Sequence, residues 1–334
     1  MLPDLMSDPF RERAAALPAK RMQLLGAKVR FSSNSLDLMR LVEWAYKGLP
    51  RHRFPGLTRE LRVSLLLTSD ARRPRRAEPP PLAMISGSGL LGGAAQPANF
   101  TVISPHEHAA IVVLSPQMLR FPYHARYELI EFAVFTLAAR AQRLVSLHAG
   151  CVGHGGRALL LIGPSGSGKS TVALHCLLDG FEFLSEDSVF VNPRSMLATG
   201  VSNFVHIRAD ALRWLGRTAE AAAIRNSPVI RRRSGVKKFE LDLRRDGFQL
   251  AKSPLKIVGA VFLSPNSAGN GPLLRSISQS ALLANLAETQ GYAASQPPWR
   301  DFRKNLAHLR AFELRRGEHP RLAVDALRSV LANE

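Results

Sequence analysis

Residues 158–178 constrain this chain more than any other stretch. Ala158–Ile162 (ALLLI) is a continuous apolar run, the pattern of a strand buried on both faces of a sheet. Gly163-Pro-Ser-Gly-Ser-Gly168-Lys169-Ser170 follows at once, and Thr171-Val-Ala-Leu-His-Cys-Leu-Leu continues on a helical pattern. Strand, glycine loop and helix in that order are the context that separates a working G-x-x-x-x-G-K-[ST] motif from a chance one. Glycines let the backbone curl until successive N–H groups point inward, and the new helix adds its positive end at the same spot. The partner suited to such a loop is a phosphate chain. Lys169 reaches β- and γ-phosphates as a point charge, and the Ser170 hydroxyl suits Mg²⁺.

The next acidic residues extend the pattern. Asp179-Gly180 closes the helix, with Gly180 in a C-cap slot. A short strand over Phe181–Leu184 is expected, then Ser185-Glu186-Asp187, then a second β-type run over Ser188–Val191. Two adjacent carboxylates at a strand end beside the loop can hold Mg²⁺ or take a proton from an attacking hydroxyl. The plainer alternative is a charged turn between two strands. His148 lies just ahead of the loop's strand, in Ser-Leu-His-Ala-Gly. His148, Cys151 and His154 have spacings that metal sites use, but three ligands on one short extended stretch cannot face a single ion, so no metal is expected there.

Length and composition bound the rest. The 334 residues, 46% of them hydrophobic, suit one large domain or two ordinary ones with a real core. The net charge of +19 invites a nucleic-acid reading. Residues 1–143 hold 20 basic against 11 acidic residues, and residues 144–334 hold 25 against 15, so no basic arm stands out. Two cysteines, Cys151 and Cys176, cannot build a disulfide framework or a zinc cage, and a reducing, cytoplasmic setting is expected. The opening MLPDLMSDPFRER lacks the basic flank and apolar run of an export signal. The most apolar stretch, Leu129–Leu147, carries Glu131, Arg140, Gln142 and Arg143 and reads as a buried helix rather than a membrane span.

The first part of the chain reads as a smaller α/β domain over residues 1–143. Strands are expected at Met22–Phe31, Leu61–Leu67, Phe100–Ile103 and Ala109–Leu114. Helices are expected at Ser35–Tyr46, with Ser35 as cap, and Tyr127–Arg143. Ala71–Pro81 is charged and proline-rich and reads as a loop. Gly87-Ser-Gly89-Leu-Leu-Gly92 matches a dinucleotide fingerprint but lacks the surrounding βαβ unit, so a plain glycine loop is expected. His106 and His108 have no partner ligands nearby and read as a solvated turn. In residues 144–334, a strand is expected at Ile257–Leu263. Helices are expected at Ser280–Gln290, Asp301–His308 and Pro320–Leu331, with a strand at Arg310–Leu314. Arg231–Lys238 is the densest positive run and reads either as a solvated basic loop or nucleic-acid contact, or as a loop that closes on substrate.

LHAG, a strand, GPSGSGKST, a helix ending in DG and then FEFLSEDSV together resemble the core of the HPr kinase/phosphorylase family and its related serine kinases. The resemblance covers residues 146–210 well and continues weakly through Lys237–Leu243 and Ile257–Leu263. It implies an α/β fold with a P-loop kinase core over residues 144–334, related in topology to phosphoenolpyruvate carboxykinase. It also implies γ-phosphoryl transfer from ATP to a serine hydroxyl. Carried over, Gly163, Pro164, Ser165, Gly166, Ser167, Gly168, Lys169, Ser170 and Thr171 hold ATP. Glu186 stands at the proposed base, Asp187 matches the second acid of the pair and a Mg²⁺ ligand beside Ser170, and His148 matches a histidine near the reacting phosphate. Two positions depart from the family pattern. Glu186 replaces an Asp, and His206-Ile207-Arg208 stands where a Glu-Ile-Arg stretch supplies a further metal ligand. Imidazole is a poor replacement for a hard-cation ligand.

The expected function is therefore an ATP-dependent kinase acting with Mg²⁺ on a hydroxyl-bearing protein, precursor peptide or small molecule. A homo-oligomer is compatible with this reading, and a membrane partner is not expected. Two rivals remain. One is a nucleotide-binding regulatory protein with little catalysis, which His206 favours. The other is a P-loop ATPase acting with nucleic acid, which the charge favours but no recognisable DNA-binding motif supports.

Overall fold

The computed structural model describes residues 17–56, 60–69, 78–87, 89–95, 98–245 and 247–332. They form a mixed α/β chain in two compact units, one of residues 17–22, 28–47 and 60–137, the other of residues 23–27, 48–56 and 138–332.

The first unit is a seven-stranded mixed sheet with helices. Its order runs Ala19–Leu24, Ala27–Ser33, Leu61–Leu67, Ala109–Leu114, Phe100–Ser104, Leu90–Ala94 and Ala83–Gly87. The strands at 27–33, 61–67 and 109–114 run parallel, and those from 109–114 to the 83–87 edge run antiparallel. The single strand expected over Met22–Phe31 is two, because Leu25 and Gly26 both take positive φ (49° and 85°). That pair of conformations makes a two-residue hairpin turn. Ser35 does stand at the N-cap of the helix Leu36–Tyr46, but its side chain caps nothing, and its N–H donates to Ser33 Oγ at 3.0 Å. The expected helix over Tyr127–Arg143 begins instead as a π-helical stretch, Ala125–Glu131, and becomes α-helical over Phe132–Ala141. The wide turn carries a buried Arg126, stacked 4.3 Å from the Trp44 ring and paired with Glu131 at 3.3 Å. Gly87 and Gly92 lie on the two strands of a hairpin that opens no helix. Most of the expected loop at Ala71–Pro81 lies outside the described residues.

The second unit is built on a nine-stranded sheet with the strand Arg157–Ile162 inside it. That strand is antiparallel to Gly150–His154 and parallel to Leu255–Ser267. The long strand Leu255–Ser267 then pairs parallel with Arg310–Arg316 and antiparallel with Leu197–Gly200. Leu159 and Leu161 face one core, shared with the helices Lys169–Leu178 and Pro320–Ala332. Ala158, Leu160 and Ile162 face the other, shared with Leu282, Leu286, Phe302 and Leu306. Burial on both faces is why five consecutive positions are apolar. The helices Gln279–Thr289 and Trp299–Leu306 fall close to their expected spans.

A separate three-stranded antiparallel sheet runs Phe204–Ile207, Lys237–Asp242, Val229–Arg231. Val205, Ile207 and Leu241 join the first core. Strand alternation therefore gives His206, Lys238 and Glu240 the opposite face. Arg231–Lys238, expected as a loop, is the turn and strand ends of this hairpin, with Arg231 paired to Lys237. Residues 48–56 are tied to the second unit by the buried His52. Its Nδ1 lies 2.7 Å from Thr199 Oγ1 and its Nε2 2.8 Å from the Ala251 carbonyl. Among the described residues no helix is long and apolar enough to cross a membrane.

Candidate functional site

The glycine loop leaves the strand Arg157–Ile162 and enters the helix Lys169–Leu178 with Gly168 as its N-cap. Gly163, Gly166 and Gly168 all take positive φ (152°, 80° and 101°). Two kinds of need stand behind them. A Cβ on Gly163 would lie 2.7 Å from the Leu263 carbonyl oxygen, so the loop passes too close to the neighbouring strand for any side chain. A Cβ on Gly166 or Gly168 would meet nothing within 4 Å. Those two are glycines for conformation, and the space beside them is open for a ligand. Ser167 Oγ is buried with no hydrogen-bond partner, an orphaned donor within the same loop.

Lys169 is buried and folded back on its own loop, donating to the carbonyls of Gly163 at 2.6 Å and Pro164 at 3.1 Å. Burial pulls its ammonium below the usual lysine range, with the Asp187 charge opposing and Lys238 reinforcing that shift. Arg316 reaches the loop from the strand Arg310–Arg316 and donates to the Gly166 carbonyl at 2.8 Å.

The loop opens on a cavity of about 750 Å³, lined also by His148, Glu186, Asp187, His206, Arg232 and Lys238. The strand Glu182–Ser185 delivers the acidic pair to this wall. Glu186 is almost fully buried. Its Oε1 accepts the His206 backbone N–H at 2.7 Å and lies 3.3 Å from His206 Nδ1, while its Oε2 has no partner. Asp187 is more open. It accepts from Ser188 Oγ at 3.1 Å and lies 3.8 Å from Arg232. Burial works to raise Asp187, but the charges of His206, Arg232 and His148 outweigh it and hold the carboxyl below the usual aspartate range. Asp187 is thus kept as the anion a cation needs.

His148 sits at the exposed rim. Its Nδ1 lies 3.1 Å from the Asp187 backbone carbonyl, not from the carboxylate. Its own backbone is gripped on both sides by the buried Gln290, which accepts from the His148 N–H at 2.8 Å and donates to its carbonyl at 3.0 Å. Sequence reading missed Gln290, which lies far along the chain in no motif. It also missed Glu240, whose place is signalled by the alternation Lys238-Phe239-Glu240-Leu241-Asp242.

His206 is buried between two carboxylates, with Nε2 3.1 Å from Glu240 Oε1 and Nδ1 facing Glu186. Burial alone would lower this imidazole, but the hydrogen bonds to Glu186 and Glu240 win and raise it above its ordinary value. With both ring nitrogens engaged, His206 is not free to ligate a metal. Among the described residues no group of three or more His, Cys, Asp or Glu side chains is arranged to hold one. A Mg²⁺ ion nonetheless fits the oxygen donors that remain. It commonly takes one protein carboxylate plus hydroxyl, phosphate and water oxygens, and Asp187 and Ser170 line the same cavity.

Lys238 projects from the strand Lys237–Asp242 and is half-buried. Burial lowers its ammonium, Glu186 and Asp187 oppose that, and Arg232 and Arg208 add to it. The cavity thus presents a cluster of mutually repelling cations beside the acidic pair, an arrangement that an arriving polyanion relieves.

No protein-family model matches this chain, and no curated protein matches it. Among solved structures, the chain is similar to the HPr(Ser) kinase/phosphatase from Coxiella burnetii at 12% sequence identity and a TM-score of 0.27, over 56% of this chain and 97% of that one. At that score the likeness is distant, and the site stands on its own residues.

Proposed function

We propose that the second unit is an ATP-dependent kinase that transfers the γ-phosphoryl group to a hydroxyl of a protein, precursor peptide or small molecule. One observation carries the reading. Two positive-φ glycines of the loop, Gly166 and Gly168, the lysine at the helix start and an adjacent acidic pair all line one cavity.

In this reading the loop Gly163–Thr171 holds the phosphate chain of ATP through its backbone N–H groups, Pro164 having none, and through Lys169. Asp187 and Ser170 hold Mg²⁺, which when bound offsets charge on the β- and γ-phosphates. Glu186 takes the proton of the acceptor hydroxyl at Oε2. A bond forms from the acceptor oxygen to the γ-phosphorus as the bond to the β,γ-bridging oxygen breaks and ADP departs. Lys238 and Arg232 stand beside the acidic pair, where negative charge spreads over the transferring group. Lys169 exchanges its bonds to the Gly163 and Pro164 carbonyls for phosphate oxygens, a swap that costs little because both are charge-assisted.

The test is incubation with labelled ATP and a cell extract, followed by mass spectrometry for a phosphorylated acceptor. Lys169→Ala is expected to lower transfer by at least about a hundredfold. Full activity in both Glu186→Ala and Asp187→Ala would remove the proposed base. A second reading, a nucleotide-binding regulator with little turnover, draws on the engagement of both His206 nitrogens, which leaves few metal ligands. It is favoured if the chain binds ATP with Mg²⁺ and releases neither ADP nor a phosphorylated product.

A further inference from the structure

The proposed base, Glu186, is an unusual carboxylate in its surroundings. It is 4% exposed, so water does not hold its orientation. A glutamate side chain has three rotatable bonds, and a buried one aims an oxygen at a substrate only if something fixes the other. Here Oε1 is fixed by two groups of the same residue, the His206 backbone N–H at 2.7 Å and its ring Nδ1 at 3.3 Å. Oε2 is buried and has no partner, and Glu186 is among the residues that line the cavity.

The ring of His206 is in turn held from behind. Nε2 lies 3.1 Å from Glu240 Oε1, and His206 and Glu240 are directly opposite each other in the antiparallel pairing of their strands. The backbone register therefore sets the distance between imidazole and Glu240, and side-chain motion has little room to change it. Glu240 is 2% exposed and His206 6%. An imidazole with a carboxylate at each nitrogen satisfies both only by donating from both. Other charged groups also face this array: Arg232 Nη2 is 3.5 Å from His206 Nδ1, Asp187 and Lys238 lie close, and Arg208 acts on Lys238.

We infer that His206 and Glu240 form a positioning pair, which commits one oxygen of Glu186 and presents the other to the acceptor hydroxyl. The inference rests on Glu186 being the proton acceptor. It assigns a task to a histidine that is engaged on both sides and to a glutamate outside every sequence motif. His206 lines the cavity beside Glu186, and Glu240 stands behind it, outside the lining. Both act through Glu186.

The test uses the full chain and ADP release from ATP with Mg²⁺, water serving as acceptor, together with an equilibrium dissociation constant for ATP. Glu240→Ala and His206→Ala are each expected to lower kcat by about 10- to 100-fold, with the ATP dissociation constant within about twofold of the parent. The double variant is expected to lose no more than the worse single one, because the pair acts as a unit. Glu240→Gln keeps an oxygen that accepts from Nε2 and is expected to recover most of the rate. It also serves as the folded control if the alanine variants unfold. Three results would overturn the pairing while leaving the kinase reading intact: kcat unchanged in Glu240→Ala, additive losses in the double variant, or kcat, ATP affinity and thermal midpoint all falling together with no rescue by Glu240→Gln. A parent chain that binds no ATP, or that releases no ADP with either water or the cell extract as acceptor, overturns the kinase reading and the pairing with it.

Discussion

Gly163 is where the demands on a single residue are greatest. Its φ of 152° and the 2.7 Å approach of the Leu263 carbonyl to a would-be Cβ leave no side chain an acceptable position. Gly163→Ala should destabilise the chain by about 2 kcal/mol or more through backbone strain and the displaced strand. Gly166→Ala, whose Cβ meets nothing within 4 Å, should cost about 1 kcal/mol. Thermal unfolding of the two variants checks the order, and equal losses would show that the Leu263 contact does not matter. His175 offers a second residue-scale test. Burial, with the nearby charges of His319 and Arg321, lowers its pKa to about 4, and its Nε2 has no partner. The folded chain therefore refuses a proton that the unfolded chain takes up between pH 6.5 and about 4. By linkage, stability is unaffected by this group above pH 6.5 and is lost as pH falls through that window. His175→Gln should flatten the fall, read as denaturant midpoints at pH 7 and pH 4.5. Parallel curves for the two proteins would exclude His175 as the source.

At the scale of elements, the site depends on how unlike pieces are registered. The strand Arg157–Ile162 and the helix Lys169–Leu178 position the loop by chain continuity, and Arg316 and Leu263 meet it from neighbouring strands. The acidic pair arrives on the strand Glu182–Ser185, which pairs with Gly150–His154 and so sits one strand away from the loop's own strand. The three-stranded sheet brings His206 and Glu240 by cross-strand pairing, and Gln290 positions His148 from the end of the helix Gln279–Thr289. Segment 48–56 is a further case, pinned by one imidazole to Thr199 and Ala251. His52→Ala strips partners from two buried groups and should cost about 1–3 kcal/mol. A lower urea midpoint with an unchanged m-value is the expected signature. No shift in midpoint would mean that segment 48–56 is held by something other than His52.

At the scale of the whole molecule, the net charge of +19 finds a local use. Among the described residues, seven Lys and Arg side chains line the cavity against three Asp and Glu. A cleft of one dominant sign draws polyanions toward it and speeds encounter, an effect that salt weakens. Most of the basic excess lies elsewhere, spread along both halves of the chain.

The sequence by itself determined the loop, its strand and its helix, because each is a local pattern. Apolar residues run without a break where both faces are buried, glycines stand where the backbone must turn left-handed, and Lys169 and Ser170 follow at fixed spacing. Glu186 and Asp187 were legible for the same reason, lying a helix and a strand beyond the loop. The hairpin at Leu25-Gly26 and the π-helical turn at Ala125–Glu131 were not legible, since apolar periodicity continues through both. Only the tertiary structure decided what surrounds Glu186. His206 lies 20 residues away and Glu240 34 further on, and their meeting depends on the register of two strands that no local pattern encodes. Register is set by which alternate residues the core accepts, Val205, Ile207 and Leu241 here, and that is a property of the packed molecule.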